Sequence, residues 1–167
     1  HQYEFLFQTD ILRYASDGAV FLLNSPFSKD EVWNKLPKKV QAQILEKKIQ
    51  FYNIDGYTVA ERTGMGSRVN TIMQTCFFAI SGVLPKDEAI EKIKYSIKKT
   101  YGKKGDDIVQ QNFKAVDETL ANLYEIPASA VTSTLEIPPT VSPQAPEFVK
   151  DVIATIMVGD GDSLPVS

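Results

Sequence analysis

The sequence holds one cysteine and one histidine among its 167 residues. Cys76 alone closes no internal disulfide and builds no cysteine-ligated zinc or iron–sulfur site within this chain. His1 stands at the extreme terminus, so a Ser–His–Asp triad or a multi-histidine metal site is all but excluded. Positive charge is also short: 18 Lys and Arg face 21 Asp and Glu, for a formal net charge of −3. No global field is there to recruit nucleic acid. No stretch reaches the roughly 18 apolar residues of a membrane span. No basic segment leads into an apolar one at the N-terminus, so no signal peptide is expected. The lone thiol fits a reducing compartment, and a cytoplasmic location is expected.

What is present is the composition of one ordinary folded domain, with 43% hydrophobic and 23% charged residues. Tyr3 to Tyr14 is apolar-rich and reads as a short helix. Ala19-Val20-Phe21-Leu22-Leu23 is apolar without alternation, which suits a strand buried on both faces. Ser28 and Glu31 have capping-box spacing ahead of a short helix through Trp33. Pro37 can open the next helix, striped by Val40, Ile44 and Leu45. Ile49 to Ile54 reads as a second strand, and Asp55 as the N-cap of a helix over Tyr57 to Arg62.

The central part is helical. Val69, Ile72, Met73, Cys76, Phe77 and Ile80 recur at i, i+3, i+4, i+7, i+8 and i+11. Gly82 and Pro85 end that face. Lys86 to Tyr101 forms the next helix, stopped by Gly102. Val109, Phe113, Val116, Leu120 and Leu123 mark a third, led by Asp106 and Asp107. After Ile126 the character changes: residues 127 to 167 hold six of the nine prolines and one basic residue, Lys150. Ile137 to Pro143 reads as an extended linker. Phe148, Val149, Val152, Ile153, Ile156 and Met157 form one more amphipathic helix. At least five helices and two clear strands indicate an α/β domain. So small a parallel sheet is rarely stable alone, which points to a cut-down piece of a larger protein.

Chemistry-bearing motifs are few. Gly64-Met65-Gly66-Ser67-Arg68 resembles a phosphate loop but lacks the G-x-G-x-x-G and Gly-Lys-Ser/Thr patterns. Its helix start, with exposed amides and Arg68, is an anion-site candidate. The simpler reading is a tight turn with Arg68 paired to a carboxylate. Asn70 and Gln74 add a polar edge, facing a ligand or another domain, or else bonding to nearby backbone. Lys98, Lys99, Lys103 and Lys104 read as a solvated helix end, or as an attraction for a phosphate-bearing cofactor. Cys76 reads as inert core. Asp160 and Asp162 read as a flexible turn. Arg68 and Asn70 are the weak cofactor-binding candidates. No catalytic residue and no metal ligand is expected.

The run Gly64 to Phe78, followed by Gly82-Val83-Leu84-Pro85, resembles the central γ-type domain of pyruvate:ferredoxin (flavodoxin) oxidoreductases. Phe21 to Pro26, Leu36-Pro37, Lys99 to Gly105 and Asn112 to Asp117 agree in order. The tail from Gly159 is similar to the family's connector towards a ferredoxin-like segment. The resemblance implies a three-layer α/β/α domain, truncated at its N-terminal side, with one sheet edge unpaired or covered by a neighbouring molecule. Residues 1–126 would be the C-terminal part of that domain, and 127–167 a Pro-rich linker plus helix. It implies a parent enzyme in which pyruvate is oxidatively decarboxylated on thiamine diphosphate. Electrons pass through 4Fe–4S clusters to ferredoxin or flavodoxin, and the acetyl group goes to coenzyme A. The parent would be a homodimer. This segment would bind none of these cofactors itself and would be inactive alone, a structural domain near the coenzyme A side. Its partners would be the parent's other domains, with no nucleic acid and no membrane. The competing reading is an autonomous α/β ligand- or protein-binding module.

Overall fold

A computed structural model describes residues 2–165. Its centre is a three-stranded sheet of β1 (Val20–Asn24), β2 (Gln50–Ile54) and β3 (Tyr124–Ile126). β1 and β2 run parallel, with Val20 opposite Gln50 and Asn24 opposite Ile54. β3 returns antiparallel on the other side of β2, with Phe51 opposite Ile126. The outer edge of β1 carries no strand among the described residues. The order of helices is α1 (Val32–Lys35), α2 (Lys38–Glu46), α3 (Gly56–Arg62), α4 (Asn70–Ile80), α5 (Lys86–Tyr101), α6 (Asp106–Asn122) and α7 (Ala154–Met157).

Strand alternation sends side chains to two separate cores. Leu23 and Phe51 join Leu6, Trp33, Leu36, Val40 and Ile44 on one face, against the N-terminal segment, α1 and α2. Ile54, with Leu22 beside it, joins Val59, Ile72, Cys76 and Ala115 on the other, against α3, α4 and α6. This is the α/β/α layering. A third cluster, Ile93, Ile97, Val109 and Val116, fixes α5 on α6 outside that layer.

Several local expectations are corrected. β1 is not buried throughout: Val20 is 40% exposed at the start of an edge strand, beyond which no further strand pairs among the described residues. Residues 2–7 form a 3-10 helix rather than a longer helix to Tyr14. The chain after it is held by Lys47, whose Nζ donates to the carbonyls of Leu12, Arg13 and Ala15 at 2.8, 2.9 and 2.9 Å. Half of the capping box forms: Glu31 reaches back to accept from the Ser28 amide at 3.3 Å, but the Ser28 hydroxyl also donates to it at 2.6 Å instead of accepting an amide proton, and α1 starts only at Val32. Gly102 ends α5 as expected, and a separate 3-10 turn follows it to Lys104 before Gly105 at φ +118°. Asp55 does cap α3, accepting from the Thr58 amide at 3.0 Å.

The proline-rich stretch is extended but it is not a free linker. Its first half lies across α1 and α2. Buried Gln41 donates to the Trp33 carbonyl at 2.6 Å and accepts from the Thr132 and Ser133 amides at 2.9 Å each. Trp33 Nε1 donates to the Ala130 carbonyl at 3.2 Å, and the Lys38 amide donates to Leu135 at 2.8 Å. Asp160 is likewise an anchor rather than a loose turn, 2.8 Å from the Arg13 guanidinium.

Candidate functional site

The loop from Gly64 to Arg68 owes its shape to its glycines. Gly64 has φ +74° and Gly66 φ +62°, conformations that disfavour a Cβ. Gly64 is also crowded: an added Cβ would lie 2.4 Å from Nε2 of Gln111, which donates to the Gly64 carbonyl at 2.6 Å. Met65 plugs the core between the glycines. Arg68 is exposed and folds its Nε back onto the Met65 carbonyl at 3.0 Å, so its partner is backbone and not the carboxylate expected.

α4 then begins with no side-chain cap at Val69, and Asn70 stands exposed in its first turn. One turn on, Thr75 donates to the Thr71 carbonyl at 2.7 Å. Asn112 on α6 is buried behind them, its amide donating to the Ile108 carbonyl at 2.8 Å. The opposite side of α4 faces α5 across a furrow. Asn70, Thr71 and Gln74 line it with Ser96, Thr100 and Tyr101, enclosing about 250 Å³. A second hollow of about 240 Å³ shares Gln74, Ile93 and Ser96 and continues to Phe78 and Leu84. The structure thus brings Asn70 and Gln74 together, with Arg68 at the entrance of the same helix. The lysines lie at the C-terminal end of α5, the end whose Thr100 and Tyr101 line the furrow, with Lys104 5.6 Å from the centre of the Tyr101 ring.

Sequence reasoning missed a polar cluster at the carboxyl ends of β1 and β2. Asn24 accepts from the Gly56 amide at 2.9 Å. Ser25 donates to Asn53 at 2.7 Å, and Asn53 donates to the Phe27 carbonyl at 2.9 Å. All three side chains are buried. Open α/β sheets bind ligands at such strand ends. Here the groups are satisfied by one another and by backbone: Asn24 locks the end of β1 to the start of α3, and Ser25 ties it to β2 through Asn53. The signal in the sequence was an Asn at the end of the first strand and one residue before the end of the second.

The chemistry available is limited. Burial pushes the Cys76 thiol up to about 12, so no thiolate forms near neutral pH. Among the described residues, no group of three or more His, Cys, Asp or Glu is placed to hold a metal. A single buried thiol does not fit an iron–sulfur cluster, and this residue set does not fit a metal-bridged diphosphate. The furrow offers hydroxyls and amides, which orient a polar group but exchange no proton near pH 7. Among the described residues no helix is long and apolar enough to cross a membrane.

A family model described as pyruvate ferredoxin/flavodoxin oxidoreductase matches residues 1–122. The chain belongs to that family. The oxidoreductase match takes in β1, β2 and α1 to α6 and stops just before β3. A separate model, described as a domain of unknown function, matches residues 134–167. The pyruvate-flavodoxin oxidoreductase of Rhodospirillum rubrum is 50% identical over 167 residues, covering all of this chain and 14% of the relative. That of Trichormus variabilis is 48% identical over 172 residues, again 100% and 14%. The pyruvate:ferredoxin oxidoreductase of Moorella thermoacetica is 46% identical over 169 residues, with the same shares. The chain therefore spans about 14% of the length of these relatives.

Proposed function

We propose that this chain is a scaffold segment of a pyruvate:ferredoxin or flavodoxin oxidoreductase and carries no catalytic group of its own. The relatives' names give the reaction class. In this reading residues 1–126 are the C-terminal part of the γ-type domain, and 127–167 lead towards a ferredoxin-like domain. Thiamine diphosphate and the 4Fe–4S clusters belong to other domains of the parent, a cytoplasmic homodimer. The face at the start of α4 looks towards coenzyme A.

The observation that carries the reading is the pairing of an exposed Arg68 and an uncapped, 11-residue helix start with a furrow of neutral hydroxyls and amides. Such a surface holds an anionic or polar group without altering it. In the full-length enzyme, Arg68→Ala or Asn70→Ala should raise KM for coenzyme A by about tenfold, the weight of one charge-assisted hydrogen bond. KM for pyruvate should not move. An unchanged coenzyme A KM in both variants would remove Arg68 and Asn70 from the site.

A further inference from the structure

Among the described residues, the outward face of the C-terminal helix is left uncovered. It begins with a π-helical turn, Val149–Ile153, and continues as α7. Its apolar positions cover about half its circumference. Phe148 is 64% exposed, Ile156 53%, Met157 62% and Val158 52%. Val149 and Val152 are only half-buried. Amphipathic helices are stabilised by covering that face, and here nothing in the described chain covers it.

Its root, by contrast, is fixed. The strap that leads to it is bonded to Gln41, Trp33 and Lys38, and the turn after it to Arg13. Tyr14, Lys39, Ile137, Met157 and Val158 share a crevice of about 430 Å³ where helix and body meet. An apolar ridge beside a crevice, at the end of a strap bonded to the body as far as Leu135, is the form of a docking element.

We propose that residues 134–167 are an interdomain staple, whose exposed helix face docks on another domain of the same polypeptide. The proposal rests on the reading that this chain belongs to a longer enzyme. The relatives carry most of their length outside the matched stretch. The staple region is also matched by a family model of its own, separate from the oxidoreductase domain. Area decides between occupants. A free partner or a second copy needs roughly 800 Å² from each side for a stable interface. One three-turn helix face offers less. A domain on the same polypeptide docks at millimolar effective concentration, and the smaller face suffices. The helix flanks carry Glu147, Asp151 and Asp162 against Lys150 alone, so the receiving surface is apolar with Lys or Arg at its rim.

The test is a photo-reactive phenylalanine analogue at position 148 or 156 of the full-length enzyme, with cross-links mapped by mass spectrometry. Isotope-mixed chains separate links within one chain from links between two. Links within one chain to residues outside this stretch are expected. Links only between two copies, only to ferredoxin or flavodoxin, or to nothing would overturn the proposal. A second measurement uses Phe148→Asp with Ile156→Asp. Amide exchange over 148–158 should accelerate about tenfold or more in the full-length enzyme, while α4 exchange stays unchanged. Equal exchange over 148–158 in both proteins would also overturn it. Neither readout depends on coenzyme A kinetics, so the staple and the scaffold reading fail separately.

Discussion

Gln41 is the residue on which the strap depends, and replacing it tests that dependence directly. Its side chain is fully buried and makes three hydrogen bonds, one to Trp33 and two from the strap amides. Gln41→Met keeps the volume and removes the polar atoms. The Trp33 carbonyl retains the Leu36 amide as a donor at 3.2 Å. Thr132 is exposed, and water replaces its partner. Ser133 is only 7% exposed, so its amide is orphaned. An orphaned buried donor costs about 1–3 kcal/mol, and the two rescued groups add about 1 kcal/mol. A loss of about 2–4 kcal/mol is therefore expected, which lowers Tm by about 5–15 °C in a chain of this size. Urea denaturation measures the first quantity and calorimetry the second. Amide exchange at Ser133 should rise to that of an unstructured segment. A loss below about 0.5 kcal/mol with Ser133 still protected would mean that the strap is held by its apolar contacts instead.

Cys76 should resist alkylation by iodoacetamide at pH 8 until the chain unfolds, since its thiol pKa stands at about 12 against an ordinary 9.0. A raised pKa leaves the native state holding a proton that the unfolded chain has lost. Stability should then fall between pH 9 and pH 12 by up to about 1.4 kcal/mol per unit, and Cys76→Ala should flatten that slope by urea titration. Asp10 has the opposite sign. Partial burial raises its pKa, but hydrogen bonds from Lys39 and Gln43 and the charges of Lys39 and Arg13 outweigh this and hold it below the usual range. Asp10→Asn should cost less than about 1 kcal/mol at pH 7, and the deficit should vanish as pH falls through the lowered pKa. A deficit constant with pH would exclude an ionic origin. Gly64→Ala should cost about 1–3 kcal/mol, and Gly66→Ala about 1 kcal/mol, because Gly64 has a neighbour within 4 Å of its missing Cβ and Gly66 has none. Equal losses on thermal unfolding would show that Gln111 moves aside freely.

The parts of the fold legible in the sequence were those set by local pattern. The α5 span agrees residue for residue, because Pro85 and the spacing of Ile93 and Ile97 act within a few turns. The α4 face was read in outline, but Phe77 is 54% exposed and stacks edge-on against Phe78 instead of entering the core. Periodicity gives an angle around a helix, not the width of what covers it. β3 escaped notice because three residues carry too little alternation to separate a strand from the end of α6. The docking of the strap was also invisible. It depends on Gln41 meeting Ser133 across 92 positions, and nothing in the sequence of either residue announces that partnership. The same applies to the furrow. Asn70 and Gln74 were flagged as a polar edge, while Ser96 and Thr100 became relevant only once α5 packed against α4.

The distribution of polar groups explains why so little chemistry is found in so ordered a domain. Asn24, Ser25 and Asn53 are spent on one another and on backbone at the strand ends. Gln41 is spent on the strap, and Lys47 on three carbonyls of the N-terminal segment. Satisfied buried networks specify one arrangement and resist change, whereas catalytic groups are left partly unsatisfied so that a substrate completes them. A segment built in the first way transmits position. It fixes where the α4 furrow and the C-terminal helix lie relative to the sheet, and that geometric service is what the scaffold role we propose calls for.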